Sequence, residues 1–421
     1  MMEQSAPRVV EADRSQLQLR PFGLDATIPQ DHRARLLWRA VESLDLSAFY
    51  ERIKSRVGTA GRPPGDPKVF VTLWLYATMD GVGSAREVER LCKEHRAYRW
   101  ICGGVAVNYH TLSDFRVDHG NALDELLTQT LAVLMERKLI TLQRVGQDGL
   151  RVRASAGSGS FRRKKKLKAY LKEARAQVEA VKQLAEDPAL SAREKAARER
   201  AAREREERVR AALAALKAVE EKRCVEYPGG RKPKGEPRGS MTDPEARKMR
   251  MANGGFSPGY NAQFATDAAS GIIVGVSVTN NGSDSGQAPP MIEQIEKRTG
   301  QKPKAYLVDA AYTDKASVDA LDAMDVTLYG SVPERWGQDP FKPQMTDSPA
   351  VSAWRKRMGT EEAKEIYKER SQICERVNAD VRTYRTMDRM LVRGAGKILC
   401  VALWNALALN LMRWFVLAPI S

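Results

Sequence analysis

An acidic residue that directly follows a short apolar segment is the first feature of this sequence that indicates chemistry. Tyr306–Val308 is typical of a short buried strand, and Asp309 comes next in the chain. A buried carboxylate is costly unless it is paired or binds a metal ion, and ligand sites of open α/β sheets lie beyond the carboxyl ends of strands. Asp309 is therefore a candidate metal ligand. The alternative is that Asp309 only caps the helix that follows.

Asp148 is the second candidate acid, and it lies where the apolar pattern changes after a helical region. Val145 and Leu150 flank the segment Gly146–Gly149, which contains Asp148. This pattern predicts a strand that carries Asp148. An Asp-Gly pair is also an ordinary hairpin turn, so the local residues leave both interpretations open.

Glu375 is the third candidate acid, and it lies in the helical segment Glu365–Arg385. On a helical wheel, Glu375 and three neighbouring side chains share one broad arc, which points away from a stripe of apolar residues. The stripe consists of Ile366, Ile373, Val377 and Tyr384, and the neighbours are Tyr367, Arg370 and Arg382. This orientation suits an active-site cleft and equally suits plain solvent, and Glu369 and Asp380 remain possible substitutes.

Three carboxylates on separate elements predict a magnesium site. Mg²⁺ prefers carboxylate oxygens together with water and substrate phosphate. Two divalent ions about 4 Å apart can activate an attacking oxygen and stabilise a leaving oxygen in phosphodiester chemistry. We therefore expect Asp148, Asp309 and Glu375 to hold two Mg²⁺ ions, with Mn²⁺ as a possible substitute.

Composition favours a globular protein with a polyanionic partner. The chain has 421 residues, 43% hydrophobic and 29% charged, and a net charge of +16. Such an excess indicates nucleic acid before membrane. The five cysteines are scattered, and the N-terminus does not resemble a signal peptide, which together predict a cytoplasmic protein. Ile398–Met412 is apolar but shorter than the roughly 20 residues of a membrane span, so we expect a buried terminal helix and no membrane.

A helix-turn-helix is predicted near the N-terminus. Val69–Asp80 is rich in apolar residues, Gly81–Gly83 ends it, and Ser84 with Glu87 matches a capping box at the start of a second helix. That helix carries Arg86 and Arg90, which could face DNA. The alternative is an ordinary helical hairpin with a solvated charged face.

The segment Phe161–Cys224 predicts a long helical hairpin. It contains 20 Lys and Arg against 11 Asp and Glu, a net charge of +9, and no glycine. More than half of the basic excess of the chain therefore lies here. The hairpin could hold a DNA backbone, form a dimer contact, or be a solvated strut.

The remaining pattern predicts an α/β region. Gly259–Thr279 alternates as a two-stranded hairpin, Pro289–Thr299 is typical of a helix, and Val326–Ser331 predicts a further strand. Tyr227–Arg250 is rich in Pro, Gly and Lys, which indicates a loop. Strands therefore carry Asp148 and Asp309, while helices surround them.

These motifs together resemble the DDE transposases of bacterial insertion sequences, which have a ribonuclease H-like catalytic domain. The resemblance covers roughly residues 30–415. The matching motifs are Gln147-Asp148-Gly149, Thr242-Asp243-Pro244, Gly259-Tyr260-Asn261-Ala262-Gln263, Val308-Asp309-Ala310-Ala311-Tyr312, and Tyr367, Arg370, Glu375 and Arg382 in the spacing of the family's Tyr-Arg-Glu-Lys signature.

The resemblance implies a fold with a mixed ribonuclease H-like sheet, flanking helices, an N-terminal all-helical domain and an inserted helical hairpin. We expect an N-terminal arm at 1–27, a helical DNA-binding domain at 28–140, a catalytic domain at 141–160 and 241–421, and the basic insertion and linker at 161–240.

The resemblance also implies a function. Asp148, Asp309 and Glu375 would be the metal-binding catalytic triad, and Tyr367, Arg370 and Arg382 would contact DNA. The protein would bind the ends of its element, cleave the strands and join them to target DNA, as a homodimer on double-stranded DNA in the cytoplasm, associated with the nucleoid when bound.

Three departures from the family pattern motivate an alternative function. Ala311 replaces the glycine of Asp-x-Gly-Tyr, Arg382 replaces a lysine, and Arg376-Val377-Asn378 replaces the residues that usually follow the glutamate. The alternatives are a catalytically inactive DNA-binding protein derived from a transposase, and a helical scaffold built around 161–224.

Overall fold

The computed structural model describes residues 23–51, 53, 55, 63–183, 191–226, 235–334 and 339–418, and only the helical backbone of 222–226. The helices are α1 (Arg33–Glu42), α2 (Ser47–Tyr50), α3 (Pro67–Met79), α4 (Ala85–Glu94), α5 (Arg96–Cys102), α6 (Tyr109–Asp118), α7 (Gly120–Glu136), α8 (Lys164–Gln183), α9 (Ala192–Glu226), α10 (Ala288–Thr299), α11 (Lys315–Ala323), α12 (Pro349–Met358), α13 (Glu361–Thr383) and α14 (Ala395–Leu417). The strands are β1 (Arg144–Arg153), β2 (Phe161–Arg163), β3 (Arg238–Ser240), β4 (Arg247–Arg250), β5 (Phe256–Asp267), β6 (Ile273–Thr279), β7 (Ala305–Val308) and β8 (Thr327–Gly330).

The N-terminal region is helical, as predicted, and is organised around α3. Asp66 caps α3 by accepting a hydrogen bond from the Lys68 N–H, and every residue of the helix except Lys68 is buried. Trp74 lies at the centre and donates its indole N–H to the Leu112 carbonyl at 2.9 Å. A tight turn after α3 leads into α4. The predicted capping box is wrong, because Ser84 precedes α4 without a side-chain cap and Glu87 pairs with Arg90 instead.

A mixed sheet forms the second part of the molecule, so the predicted α/β architecture is confirmed and is consistent with a ribonuclease H-like fold. The strand order is β4-β5-β1-β7-β8, and β6 also pairs with β5. β5 runs antiparallel to β1, whereas β7 runs parallel to β1 and β8 parallel to β7. Asp148 and Gly149 pair with Phe264 and Gln263 inside a continuous ladder. The Asp-Gly pair is therefore part of a strand and not a turn.

The predicted helical hairpin is confirmed as α8 and α9, which follow β1. A small apolar cluster of Leu167, Ala212 and Leu216 joins the two helices near their base. The segment predicted as a loop after the hairpin contains two short strands among its described residues, β3 pairing with β2 and β4 with β5. Their partners are distant in sequence, which explains why local composition indicated a loop. The predicted domain boundaries stay predictions.

The apolar C-terminal helix α14 is a core element. It is long and apolar enough by length and composition to cross a membrane, yet 72% of its most apolar 18-residue window is buried inside the structure. It packs against β6 of the sheet and against α3 and α7 of the helical region. α14 thus joins the two parts of the protein, as the prediction of a buried terminal helix required.

Two buried asparagines of α14 allow a matched stability test. Asn410 accepts from the Ile273 N–H at 2.7 Å and donates to the Ile273 carbonyl at 2.8 Å. Asn410→Leu leaves both backbone groups unpaired, and we expect it to lower the free energy of unfolding by roughly 2–4 kcal/mol. Asn405 donates only to a carbonyl of its own helix, and its oxygen has no partner among the described residues. Asn405→Leu should therefore change the urea-unfolding midpoint far less, and equal losses in the two variants would contradict this role of Asn410.

Candidate functional site

The parallel pairing of β1 and β7 brings the first two candidate acids to the same level. Gly146 pairs with Leu307, so Asp148 and Asp309, two residues further along each chain, are neighbours in register. β7 ends at Val308, whereas β1 continues to Arg153. Asp309 therefore follows the last residue of β7. From Asp148 onward, β1 continues without β7 as a pairing partner.

Asp148 is held by contacts from both of its neighbours, the strand and α13. Its Oδ1 accepts from the Gly149 N–H at 2.8 Å, and its Oδ2 accepts from Asn378 Nδ2 at 3.0 Å. Arg370 Nη1 lies 3.9 Å from the same Oδ2. Burial raises the pKa of the Asp148 carboxyl, the Gly149 N–H and Arg370 oppose this rise, and the charges of Asp309 and Asp284 add to it. Asp148 is thus a carboxylate whose charge is only partly compensated.

Asp309 is half-buried and has a local structural role as well. Its side chain accepts from the Ala311 N–H at 2.8 Å and caps a single 3₁₀ turn, Ala310–Tyr312. The next helix, α11, is capped by Asp314 instead. The capping alternative therefore holds for this one turn, and it leaves the second oxygen of Asp309 available beside Asp148.

Helix α13 crosses the sheet over β1 and carries the third candidate acid. A side chain at Gly146 would place its Cβ atom 2.9 Å from Cys374 Sγ, so the glycine permits this close crossing. The buried side of α13 comprises Ala363, Cys374, Val377 and Val381. The predicted stripe was wrong at its end, because Tyr384 is 66% exposed.

Glu375 follows Cys374 on α13 and is exposed to solvent. Burial is the main cause that raises the pKa of the Cys374 thiol, to about 12. The negative charges of Asp148, Asp309 and Glu375 add to this rise. The charges of all three acids therefore act on the Cys374 thiol. Within the described ranges, however, no three His, Cys, Asp or Glu side chains lie close enough to form a complete metal site.

Asp148 and Asp309 fit a divalent cation by the chemistry of their donor atoms. Both supply carboxylate oxygens, the ligands that Mg²⁺ and Mn²⁺ accept. Their mutual repulsion contributes to the raised pKa of Asp148, and a bound cation would relieve it. Glu375 would have to turn inward from its exposed position to join them.

The predicted DNA-contacting residues lie in two separate places. Tyr367 accepts a hydrogen bond from the Ser331 hydroxyl at 3.1 Å beyond the end of β8. Arg382 lines a groove together with Gly149. In α4, Arg86 stacks over the Tyr109 ring at 4.9 Å, and Arg90 pairs with two glutamates of its own helix. The charge of Arg90 is therefore largely balanced within α4.

A buried polar network on the other face of β1 was not predicted from the sequence. Gln147 donates to Gln263 at 2.8 Å, and Gln263 donates to Asp284 at 2.8 Å. Tyr306 and Tyr312 donate their hydroxyls to Gln147 and Gln263. The network therefore joins β1, β5 and β7 to the turn after Asp309. The alternating polar residues Asn261 and Gln263 in an otherwise apolar strand were the available signal.

Comparison with known families matches two models to the chain. A model described as Transposase DDE domain matches residues 228–411, and one described as Transposase domain (DUF772) matches residues 22–118. The first match includes Asp309 and Glu375 and begins after Asp148. No curated protein and no solved structure matches the chain.

Proposed function

The chain belongs to the DDE transposases of insertion sequences, and from this premise we propose that it binds the ends of its element and catalyses metal-dependent strand cleavage and strand transfer. The observation that carries the proposal is the register of β1 and β7, which makes Asp148 and Asp309 neighbours where β1 continues without β7 as a pairing partner. Transposases of this family act on DNA, and the net charge of +16 suits that substrate.

The side chains around Asp148 have separate roles in this proposal. Asn378 and the Gly149 N–H orient the carboxylate of Asp148. Arg370 lies 3.9 Å away, where it limits the repulsion between the acids and can contact a DNA phosphate. Tyr367 and Arg382 contact the DNA backbone on either side of Arg370. The hydrogen bond from the Ala311 N–H fixes the orientation of the Asp309 side chain.

The family generally uses divalent metal ions, and we propose that Asp148 and Asp309 hold one, with Glu375 completing the ligand set when DNA is bound. A divalent ion held there would supply Lewis-acid activation of the attacking oxygen and stabilisation of the leaving oxygen. We expect Mg²⁺, with Mn²⁺ as a substitute.

Strand cleavage of DNA that carries the two ends of the element tests this function. We expect the wild-type protein to nick or cut at the ends with Mg²⁺, and to lose this activity with excess chelator or as Asp309→Asn. Band-shift assays should find equal end binding in both proteins. Cleavage that persists in Asp309→Asn would remove Asp309 from the reaction.

A second function, end binding without catalysis, is favoured by one observation. Glu375 is exposed, and no complete group of three ligands is assembled among the described residues. A protein of this kind binds the ends specifically and does not cut them with any divalent metal ion. Restoring the family residue, as Ala311→Gly, would then be the route to recover cleavage.

We further propose a homodimer on DNA, because strand transfer joins two ends in one reaction, and a cytoplasmic location with association to the nucleoid. Sedimentation of the protein with and without paired end DNA distinguishes a dimer formed on DNA from one formed before binding.

A further inference from the structure

A groove lined by arginines lies beside the part of β1 that follows Asp148. Its volume is about 470 Å³. We name it the basic groove, and its lining residues are Gly149, Arg151, Arg250, Met251, Ala252, Gly254, Gly282 and Arg382. Three of these residues are arginines and none is acidic, so the lining of the groove is positively charged.

The position of the basic groove relates it to the candidate acids. Gly149 follows Asp148 directly, and Arg151 lies two residues further along β1. Arg250 belongs to β4, which lies across β5 from β1. The groove therefore starts one residue after Asp148 and extends from β1 toward β4 and the turn after β6.

The arginines differ in how their charge is balanced. Arg151 is anchored, because its Nη2 lies 2.9 Å from Asp284 Oδ2 and donates to the Gly282 carbonyl at 3.1 Å. For Arg250 and Arg382 the described part of the chain offers no ion pair. Two positive charges thus face the groove without a protein counter-ion, in contrast to Arg90, which pairs twice. A phosphodiester backbone supplies the anions that such charges bind.

An exposed aromatic ring stands beside the groove. Phe256 is 70% exposed, and it is the cross-strand partner of Arg250 in the β4–β5 ladder. Paired residues of neighbouring strands project from the same face, so the ring and the guanidinium group are adjacent. An aromatic side chain next to a basic track is the arrangement that proteins use to stack unpaired bases.

We propose that the basic groove holds the phosphates of the DNA strand that runs away from the reaction site, and that Phe256 stacks on an unpaired base of this strand. This inference rests on the proposed function, since it places the bound strand at Asp148. Arg250 and Phe256 are its central residues, and neither belongs to the signature that suggested Arg382.

Salt-dependent binding of Arg250→Ala tests the phosphate contact. The probe is the terminal sequence of the element with a short single-stranded flank, measured by anisotropy without divalent metal in the Asp309→Asn background. We expect about a tenfold loss of affinity at 0.1 M salt, and a log–log salt slope that is smaller by roughly one. Arg250→Lys should restore the slope. Lys304→Ala removes an exposed charge at the opposite end of β7 and serves as the matched control.

Phosphate neutralisation locates the contact along the strand. A methylphosphonate is placed at each position near the cleavage site in turn. At one position the neutral group should weaken binding of the parent protein and have no further effect on Arg250→Ala. Independent, additive effects at every position would overturn the proposed contact, as would an Arg250→Ala slope equal to that of Lys304→Ala.

Phe256→Ala tests the stacking. Binding of the flanked probe should weaken about tenfold, binding of a fully paired duplex should not change, and Phe256→Trp should restore the affinity. Equal losses on the two probes would overturn stacking on an unpaired base. Failure of the proposed function would have a different signature, in which the wild type cleaves no end DNA. If only the groove proposal is wrong, the wild type cleaves end DNA, and Arg250→Ala and Phe256→Ala bind it with the same affinity as the control Lys304→Ala.

Discussion

Asp148→Asn is expected to reduce strand cleavage by roughly 10³-fold or more while the protein stays folded and keeps its affinity for end DNA. The size of the loss follows from the several kcal/mol that metal ligands contribute to charge stabilisation, at about 1.4 kcal/mol for each factor of ten. The substitution keeps one of the two local contacts, because the single asparagine oxygen can still accept from Asn378 Nδ2, 3.0 Å away, whereas the amide nitrogen cannot accept from the Gly149 N–H. Single-turnover cleavage with Mg²⁺, measured beside end binding, checks both parts.

The same variant should also be more stable than the wild type in the absence of metal. Burial and the nearby charges of Asp309 and Asp284 raise the pKa of Asp148, which means that the ionised form is disfavoured in the folded state. Removing this charge should raise the free energy of unfolding at neutral pH by roughly 0.5–2 kcal/mol, the usual scale of such gains. A variant that loses both cleavage and stability would instead identify Asp148 as a structural residue. Asp319→Asn, in the neighbouring helix α11, is the isosteric control.

The elements that carry Asp148 and Asp309 could be predicted from the sequence because burial on one or both faces of a strand leaves a local pattern. β5, β6 and β7 were found in this way, and α14 was recognised because nearly all of its residues are apolar. Local patterns also identified α8 and α9, whose composition excludes strands. The approach of Asp148 to Asp309 then follows from parallel pairing alone.

Contacts that depend on how α13 lies across the sheet could not be predicted. A helical wheel gives the direction of each side chain but not the line along which the helix crosses. α13 crosses at Gly146, so Arg370 and Asn378 reach Asp148, while Tyr384 projects into solvent beyond the sheet. Asn378 was seen only as a departure from a family pattern. Its contact with the candidate acid became visible once the crossing was known.

Short strands with distant partners were also missed for a physical reason. β3 and β4 are three and four residues long and lie in a segment rich in Pro, Gly and Lys. Strand propensity of so few residues is weak, and the stability of each strand comes from its partner. β4 matters for the proposed binding of a DNA strand, because it places Arg250 opposite Phe256.

Asp284→Ala is expected to destabilise the protein by about 2–4 kcal/mol, because it leaves buried amide groups without an acceptor and the partly buried Arg151 without its partner. The Asp284 side chain is only 4% exposed. Its two oxygens accept from Asn261 at 2.6 Å, from Gln263 at 2.8 Å and from Arg151 at 2.9 Å. The alanine variant leaves one charge and two amide groups without their acceptor. Urea unfolding at neutral pH measures the loss, and Glu293→Ala, which removes an exposed acid of α10, is the matched control.

The effect of Asp284→Ala should extend to the reaction site, because the network lies directly behind Asp148. At Gly149 a Cβ atom would fall 2.6 Å from both Asn261 Oδ1 and Gln263 Nε2 and closer still to Asp284, so the strand and the network fit without spare room. Gln263 also receives the Tyr312 hydroxyl from the turn that Asp309 caps. Asp284→Asn keeps one acceptor and should lose less stability than the alanine variant. If both variants unfold at the wild-type midpoint, the network does not stabilise the strand, and the positions of Asp148 and Asp309 depend on the backbone ladder alone.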